Sequence, residues 1–471
     1  MMKRILLSAT VALSVGAVTA GTALAADVVK LSPEKVVELA KKQSVVVKAS
    51  EYNVKAQENA VMSAATGFLP TLSASGSAMH IYDKPLMEIS GGSVPKLSPL
   101  DTMGMDFGDW QTLALLQKYL GGINVQTPSN LYNASVNIAQ PVFAGGRIFN
   151  GYRAAKFGLE AQKYSYGRTV TETGLTAEKI FWGYVGALKG LDAVRETRVW
   201  FETLLKDQQQ MYDHGLIIEL DILNSRIQLD NFKLTEDKMR NSIRTIADQL
   251  LLFIGLPQGA TIDADTTMLA GFEPAIAAVT PDSVDQWVSK REDLLALSSQ
   301  VKVLRALKGL ELGAYSPSLI AIGSYGATNQ YSTFDGEMKK SSSVGLQLSW
   351  TLLDWGKAWR DAKKVECQMQ AAQLQADNMR DMVRLKYFDL GRKVDESKEA
   401  YAIAREDLET AQKALTIAKL KYDAQAITNT ELLDARNQLT GKMVAFTQAR
   451  INVILAAEEF RIAPLNSGAS Q

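Results

Sequence analysis

One cysteine, Cys367, and two histidines, His80 and His214, are all that this chain of 471 residues contains. A single thiol excludes an intramolecular disulfide and a cysteine-based metal cluster, and two imidazoles are too few for a histidine-rich metal site within one chain. A surplus of charge is also missing, because Lys plus Arg and Asp plus Glu each total 51. That balance speaks against nucleic acid, a partner that calls for a basic excess. The chain has no phosphate loop, no H-E-x-x-H and no G-x-S-x-G, and so little histidine leaves little for acid–base work. The reading is a non-enzyme with no cofactor and no metal. Beyond the N-terminus there is no run of eighteen apolar residues, so no membrane helix is expected. An exported chain without one is either soluble or part of a β-barrel.

What is present begins with a targeting segment. Lys3 and Arg4 form a basic start, residues 5–18 are almost all apolar or small, and Ala23-Leu24-Ala25 has the form of a cleavage site. Residues 1–25 are read as a signal peptide and not as an anchor, since the apolar run is short and ends in small residues. No cysteine follows it for a lipid, and without Lys3 and Arg4 the formal charge is −2.

The twelve prolines leave two long gaps, from Pro141 to Pro257 and from Pro317 to Pro464. Proline breaks helix interiors, and the gaps are rich in Ala, Leu, Lys, Glu, Gln and Arg, so they predict long helices. Ala404, Leu408, Ala411, Leu415, Ala418 and Tyr422 step by four and three. So do Leu439, Met443, Phe446, Arg450, Val453, Ala457 and Phe460, a coiled-coil seam on which Arg450 intrudes.

The two halves are alike. Phe143-Ala144-Gly145-Gly146-Arg147 matches Leu353-Asp354-Trp355-Gly356-Lys357, and Tyr212-Asp213-His214-Gly215 matches Tyr422-Asp423-Ala424-Gln425, both 210 residues apart. The stretch from Asp221 to Leu229 matches Glu431 to Leu439 at the same offset. Each half reads helix, strand, strand, long helix, turn, shorter helix. The first repeat is placed at 26–254, with a strand pair at about 70–143, a long helix at 148–214 and a second at 219–254. A linker follows at 255–280. The second repeat takes 281–463, with a helix at 281–313, a strand pair at 318–353 and helices at 358–424 and 429–463, before a tail at 464–471. Val344, Leu346, Leu348, Trp350 and Leu352 alternate with small or polar residues over about eleven positions, enough to cross a bilayer when tilted. A soluble, half-buried sheet is the alternative reading of that pattern. Four strands cannot close a barrel, and an open edge cannot sit in lipid, so spanning strands require several chains.

From the leader through both repeats the chain resembles the TolC-like outer-membrane efflux proteins. The most specific segments are Gln140-Pro141-Val142-Phe143-Ala144-Gly145-Gly146-Arg147, Trp350-Thr351-Leu352-Leu353-Asp354-Trp355-Gly356-Lys357 and the turns after Tyr212 and Tyr422. The resemblance implies an α+β membrane protein of a Gram-negative outer membrane. In it a homotrimer pools twelve strands into one transmembrane β-barrel, continuous with a periplasmic barrel of coiled-coil helices. It further implies a passive exit duct, with outer-membrane lipid, a periplasmic adaptor (a membrane fusion protein) and an inner-membrane RND or ABC transporter as partners, in tripartite efflux or type I secretion. The alternative is a secreted or surface coiled-coil structural protein or adhesin.

At about 1.5 Å per residue the long helix would run roughly 100 Å, with residues 255–280 in a belt around it. On the family pattern, His214-Gly215-Leu216 and Gln425-Ala426-Ile427 are the periplasmic tips that meet the adaptor. Asp221 and Tyr422 match positions that hold the aperture closed. Ile427 stands where an arginine is expected, so another contact must serve. Glu431 and Asp434 match an acidic ring that favours cations, or they are ordinary solvated helix charges. Residues 85–130 read as a surface-loop insert with a short helix at 109–119, either a lid or a loop with no gating role.

Overall fold

The computed structural model describes residues 28–82, 87–88, 124–125, 129–266, 269, 281–329 and 337–462. In chain order the elements are β1 (Val28–Leu31), α1 (Pro33–Gln43), α2 (Val45–Thr66), β2 (Thr71–His80), β3 (Met87–Glu88), β4 (Asn124–Val125), β5 (Asn130–Ala144), α3 (Arg147–Asp213), α4 (Glu219–Ile254), β6 (Thr261–Ala264), α5 (Pro281–Lys290), α6 (Glu292–Leu312), β7 (Ser318–Thr328), β8 (Lys339–Ser349), α7 (Lys357–Asp423) and α8 (Asn429–Ile462). The signal segment, the helix expected at 109–119 and the tail at 464–471 lie outside the described residues. The two long helices each hold 67 residues, and neither contains proline.

The chain folds as two units. The first takes the described residues within 28–51, 166–291 and 382–462. One of its cores gathers Val36 and Ala40 of α1, Phe181, Trp182 and Val185 of α3, Leu250, Leu251 and Ile254 of α4, and Ile451 and Ile454 of α8. Helix α1 starts where Ser32 accepts a hydrogen bond from the Lys35 N–H at 3.2 Å and Pro33 takes the first turn. The linker contributes more than a belt of loop: β6 pairs in parallel with β1, Val28 opposite Thr261 through Leu31 opposite Ala264. Sequence patterning missed that pair, since two runs of four residues carry no usable period. The helix expected at 281–313 is broken at Arg291, and the helix that opens the first repeat is broken at Ser44.

The second unit takes the described residues within 52–165 and 292–381. Its sheet has the order β2-β5-β7-β8, antiparallel throughout, with β2 and β8 at the edges. The register separates the faces. Ser73, Ser75 and Ser77 lie beside Asn137, Ser135 and Asn133, then Ser324, Gly326 and Thr328, then Ser343, Ser341 and Lys339. On the other face lie Leu72, Val136, Ile138, Tyr325, Val344, Leu346 and Leu348. Strand β8 stops at Ser349, so Trp350 and Leu352, expected to extend it, lie outside it. There the Trp350 indole donates to the Tyr315 carbonyl at 3.0 Å, and the chain turns toward α7.

Candidate functional site

The two helix-to-helix turns of the first unit share one backbone form. After α3, the N–H of Gly215 donates to Tyr212 and that of Leu216 to Met211, both at 2.8 Å. After α7, Gln425 donates to Tyr422 and Ala426 to Lys421, again at 2.8 Å. Each pair closes a helix end through a left-handed residue, Gly215 at φ 70° and Gln425 at φ 57°. Gln425 thus adopts the conformation that glycine holds in the first turn. Its side-chain amide donates to the Leu216 carbonyl at 3.5 Å, so the predicted tip residues do meet. His214 and Ala426 lie exposed in the same turns.

Above the turns, Phe201, Leu204, Leu229, Tyr422, Leu432 and Leu433 form a small core, and Ile427 packs against it. Where the family pattern has an arginine, this chain therefore has an apolar contact. The polar work falls to residues the sequence reading passed over. Gln208 is fully buried; its amide nitrogen donates to the Tyr422 hydroxyl at 3.0 Å and to Asn429 Oδ1 at 2.9 Å. Asn429 in turn donates to the Asp221 carbonyl at 2.9 Å and to Ser225 Oγ at 3.2 Å. One chain of hydrogen bonds thereby ties α3, α7, α8 and α4. Burial, the larger cause, and the nearby Asp221 charge push the Tyr422 phenol up, so it stays neutral. Gln208 Oε1 has no hydrogen-bond partner, a buried polar atom in an otherwise satisfied cluster. A signal was available in the sequence: Phe201, Leu204, Gln208 and Met211 step by three and four, so Gln208 is a polar residue on an apolar seam.

Glu431 is occupied locally. Its carboxylate accepts from the Thr428 N–H at 2.8 Å and the Thr428 hydroxyl at 2.9 Å, while the Glu431 N–H donates to Thr428 Oγ1 at 3.3 Å. This is a capping box at the start of α8, and those bonds hold the carboxyl below its usual range. Asp434, one turn on, is exposed. Arg436, a further half-turn along, is buried; it reaches Thr197 Oγ1 at 3.1 Å, Glu196 at 3.4 Å and the face of Trp200. The seam intruder Arg450 has a buried Nε without a hydrogen-bond partner.

In the second unit the strand-to-helix motifs also share a backbone form despite their different residues. Gly145 and Gly146 are left-handed at φ 61° and 78°, and so are Trp355 and Gly356 at φ 54° and 77°. A side chain at Gly145 would sit 2.4 Å from the Gly313 carbonyl oxygen, which explains glycine there. Pro141 begins a register shift in β5 that ends at Phe143. Asp354 caps α7, accepting from Gly356 and Ala358 at 2.9 and 2.8 Å. Arg147 and Lys357 are the first residues of the two long helices.

Among the described residues no helix is long and apolar enough to cross a membrane and no group of side chains could hold a metal ion. No curated protein sequence matches the chain. Residues 284–461 match the family model described as outer membrane efflux protein. Among solved structures, the chain is similar to the CmeC outer membrane channel of Campylobacter jejuni (TM-score 0.68, 15% identity, covering 93% of this chain and 86% of that one). It is similar as well to the outer membrane protein VceC of Vibrio cholerae (TM-score 0.69, 13% identity, covering 92% and 96%). A membrane protein from Pseudomonas aeruginosa gives a TM-score of 0.71 at 16% identity, covering 93% and 91%. At such identities these structures speak for the fold, and the family match is confined to residues 284–461. In the matched segment, residues 284–461, the chain is similar to the outer membrane efflux proteins, and over nearly its whole length it shares the fold of solved outer-membrane channels.

Proposed function

We propose that three copies of this chain form the outer-membrane exit duct of a tripartite efflux or type I secretion system. A periplasmic adaptor docks at the helical turns, and an inner-membrane RND or ABC transporter drives the cargo. The observation that carries this reading is the four-stranded sheet: one face is apolar, and β2 and β8 are its edges. In lipid every edge must be paired and eight strands are about the fewest that close, so the edges call for further copies. Twelve strands from three chains satisfy both demands, with β2 of one copy antiparallel to β8 of the next. The Gln208–Tyr422–Asn429 bonds hold the turns in a closed arrangement in place of the arginine. Glu431 and Asp434 line the aperture.

Cysteine pairs test the assembly on a Cys367→Ser background. One cysteine at Ser73, Ser75 or Ser77 of β2 is combined with one at Ser341, Ser343 or Ser349 of β8. Within a chain the two strands are three inter-strand spacings apart, about 14 Å, beyond disulfide reach. Oxidation in outer membranes is expected to give two- and three-chain ladders for at least one register. Monomer throughout, or a water-soluble protein, would reject the trimeric duct. Recovery of the adaptor and pump with the detergent-extracted trimer tests the partners.

A further inference from the structure

Strands β2, β5, β7 and β8 contain no aspartate and no glutamate. Their only cations are Lys339 and Lys340, the first two residues of β8. Neighbours along a strand face opposite sides of the sheet, and the register shows which side each lysine takes. Lys339 lies in a row with Thr328, Asn133 and Ser77, on the polar face. Lys340 lies with Ala327, Ala134 and Gly76, on the apolar face. The rest of the polar face in these strands is uncharged, and part of it pairs with itself: Ser75 and Ser135 hydroxyls meet at 2.9 Å and Ser324 and Ser343 at 2.7 Å.

We propose that Lys339 is the residue that sets charge selection in the strand section, giving it a preference for anions and for cargo that presents a carboxylate or phosphate. This rests on the duct reading, in which the polar face lines the passage. A fixed cation in a confined aqueous passage, with no carboxylate in the four strands and Glu337 lying just before β8, raises the local anion concentration. The row of Lys339 lies at the end of the sheet away from α3 and α6, since β7 leaves the helices at Ser318 and ends at Thr328. In a trimer three ammonium groups would ring that mouth. The acidic side chains of the helical turns belong to another section, and their effect is separable by mutation.

The full-length trimer in planar bilayers provides the test, with reversal potentials read across a KCl gradient for wild type, Lys339→Gln, Lys339→Glu and Lys340→Gln. Lys339→Gln is expected to shift the potential toward cation preference, Lys339→Glu to shift it further, and Lys340→Gln to leave it at the wild-type value. The shifts should shrink near 1 M salt, where the screening length falls to about 3 Å. Conducting channels whose potential ignores Lys339, or follows Lys340 equally, overturn this inference and leave the duct standing. Wild-type protein that never conducts overturns both.

Discussion

Glu178 sits in the first unit's core on α3, buried, its carboxyl accepting from the Trp182 indole at 3.4 Å. Burial, and then repulsion from Glu458 of α8, push its pKa up to about 7; Arg461 of α8 partly offsets this, and Glu34 of α1 adds to the repulsion. Raised in the folded state, this acid binds more protons folded than unfolded between its ordinary value and 7. Stability is therefore highest below the ordinary glutamate value and falls as pH rises to about 7, after which the penalty is constant. Glu178→Gln is expected to raise the melting temperature at pH 8, by an amount matching about 1–2 kcal/mol once screening is allowed for, and to change little at pH 5. Thermal melts of both proteins across pH check the sign; an equal gain at pH 5 and 8 would show that charge is not the cause. Glycines offer a second contrast at this scale. Gly145 and Gly215 are both left-handed, yet a side chain at Gly215 meets nothing within 4 Å, while one at Gly145 meets the Gly313 carbonyl oxygen at 2.4 Å. Alanine at Gly215 should cost about 1 kcal/mol from its φ alone, and alanine at Gly145 clearly more, about 2–4 kcal/mol, because backbone must move. Melting temperatures of the two variants rank them.

At the scale of elements, the Gln208 amide joins three helices and the Asn429 amide extends the network to a fourth. Gln208→Leu removes the donor to Tyr422 and Asn429, and Tyr422→Phe removes one of the two acceptors. If these bonds hold the turns closed, each variant should raise single-channel conductance, and the double variant should add little to Gln208→Leu, because both break one network. Additive effects would place Tyr422 in a separate contact. The long helices were legible from the sequence because their signals accumulate: proline gaps, seams and the 210-residue offset recur over dozens of positions. The turns were legible for the same reason, even though Gln425 takes the conformation of a glycine. Short-range events left weaker traces. The break at Ser44 has no proline or glycine to announce it, and the β1–β6 pair joins runs separated by more than two hundred residues. Gln208 and Asn429 were missed because their role depends on which seam faces which, a tertiary fact. Glu431 was read through the family pattern alone, although Thr428-x-x-Glu431 spells a capping box.

For the whole molecule the deciding question is which surface meets lipid, and the sheet allows a paired test one residue apart. Val344 is 93% exposed in the single chain, on the apolar face midway along the edge strand β8, while Ser343 beside it lies on the polar face. In water an arginine at either position would be equally acceptable. In a bilayer an arginine on the lipid face near mid-depth costs about 2–4 kcal/mol per chain, and one facing an aqueous passage costs little. Three copies carry the penalty together, so Val344→Arg should deplete folded trimer from the outer membrane. Ser343→Arg should assemble normally and alter only ion preference. Outer-membrane fractionation with trimer quantified on unheated gels reads the difference. Equal assembly of the two variants would mean that the apolar face is covered by protein and not by lipid. The sheet would then be a half-buried soluble one, and its free edges would need a different partner.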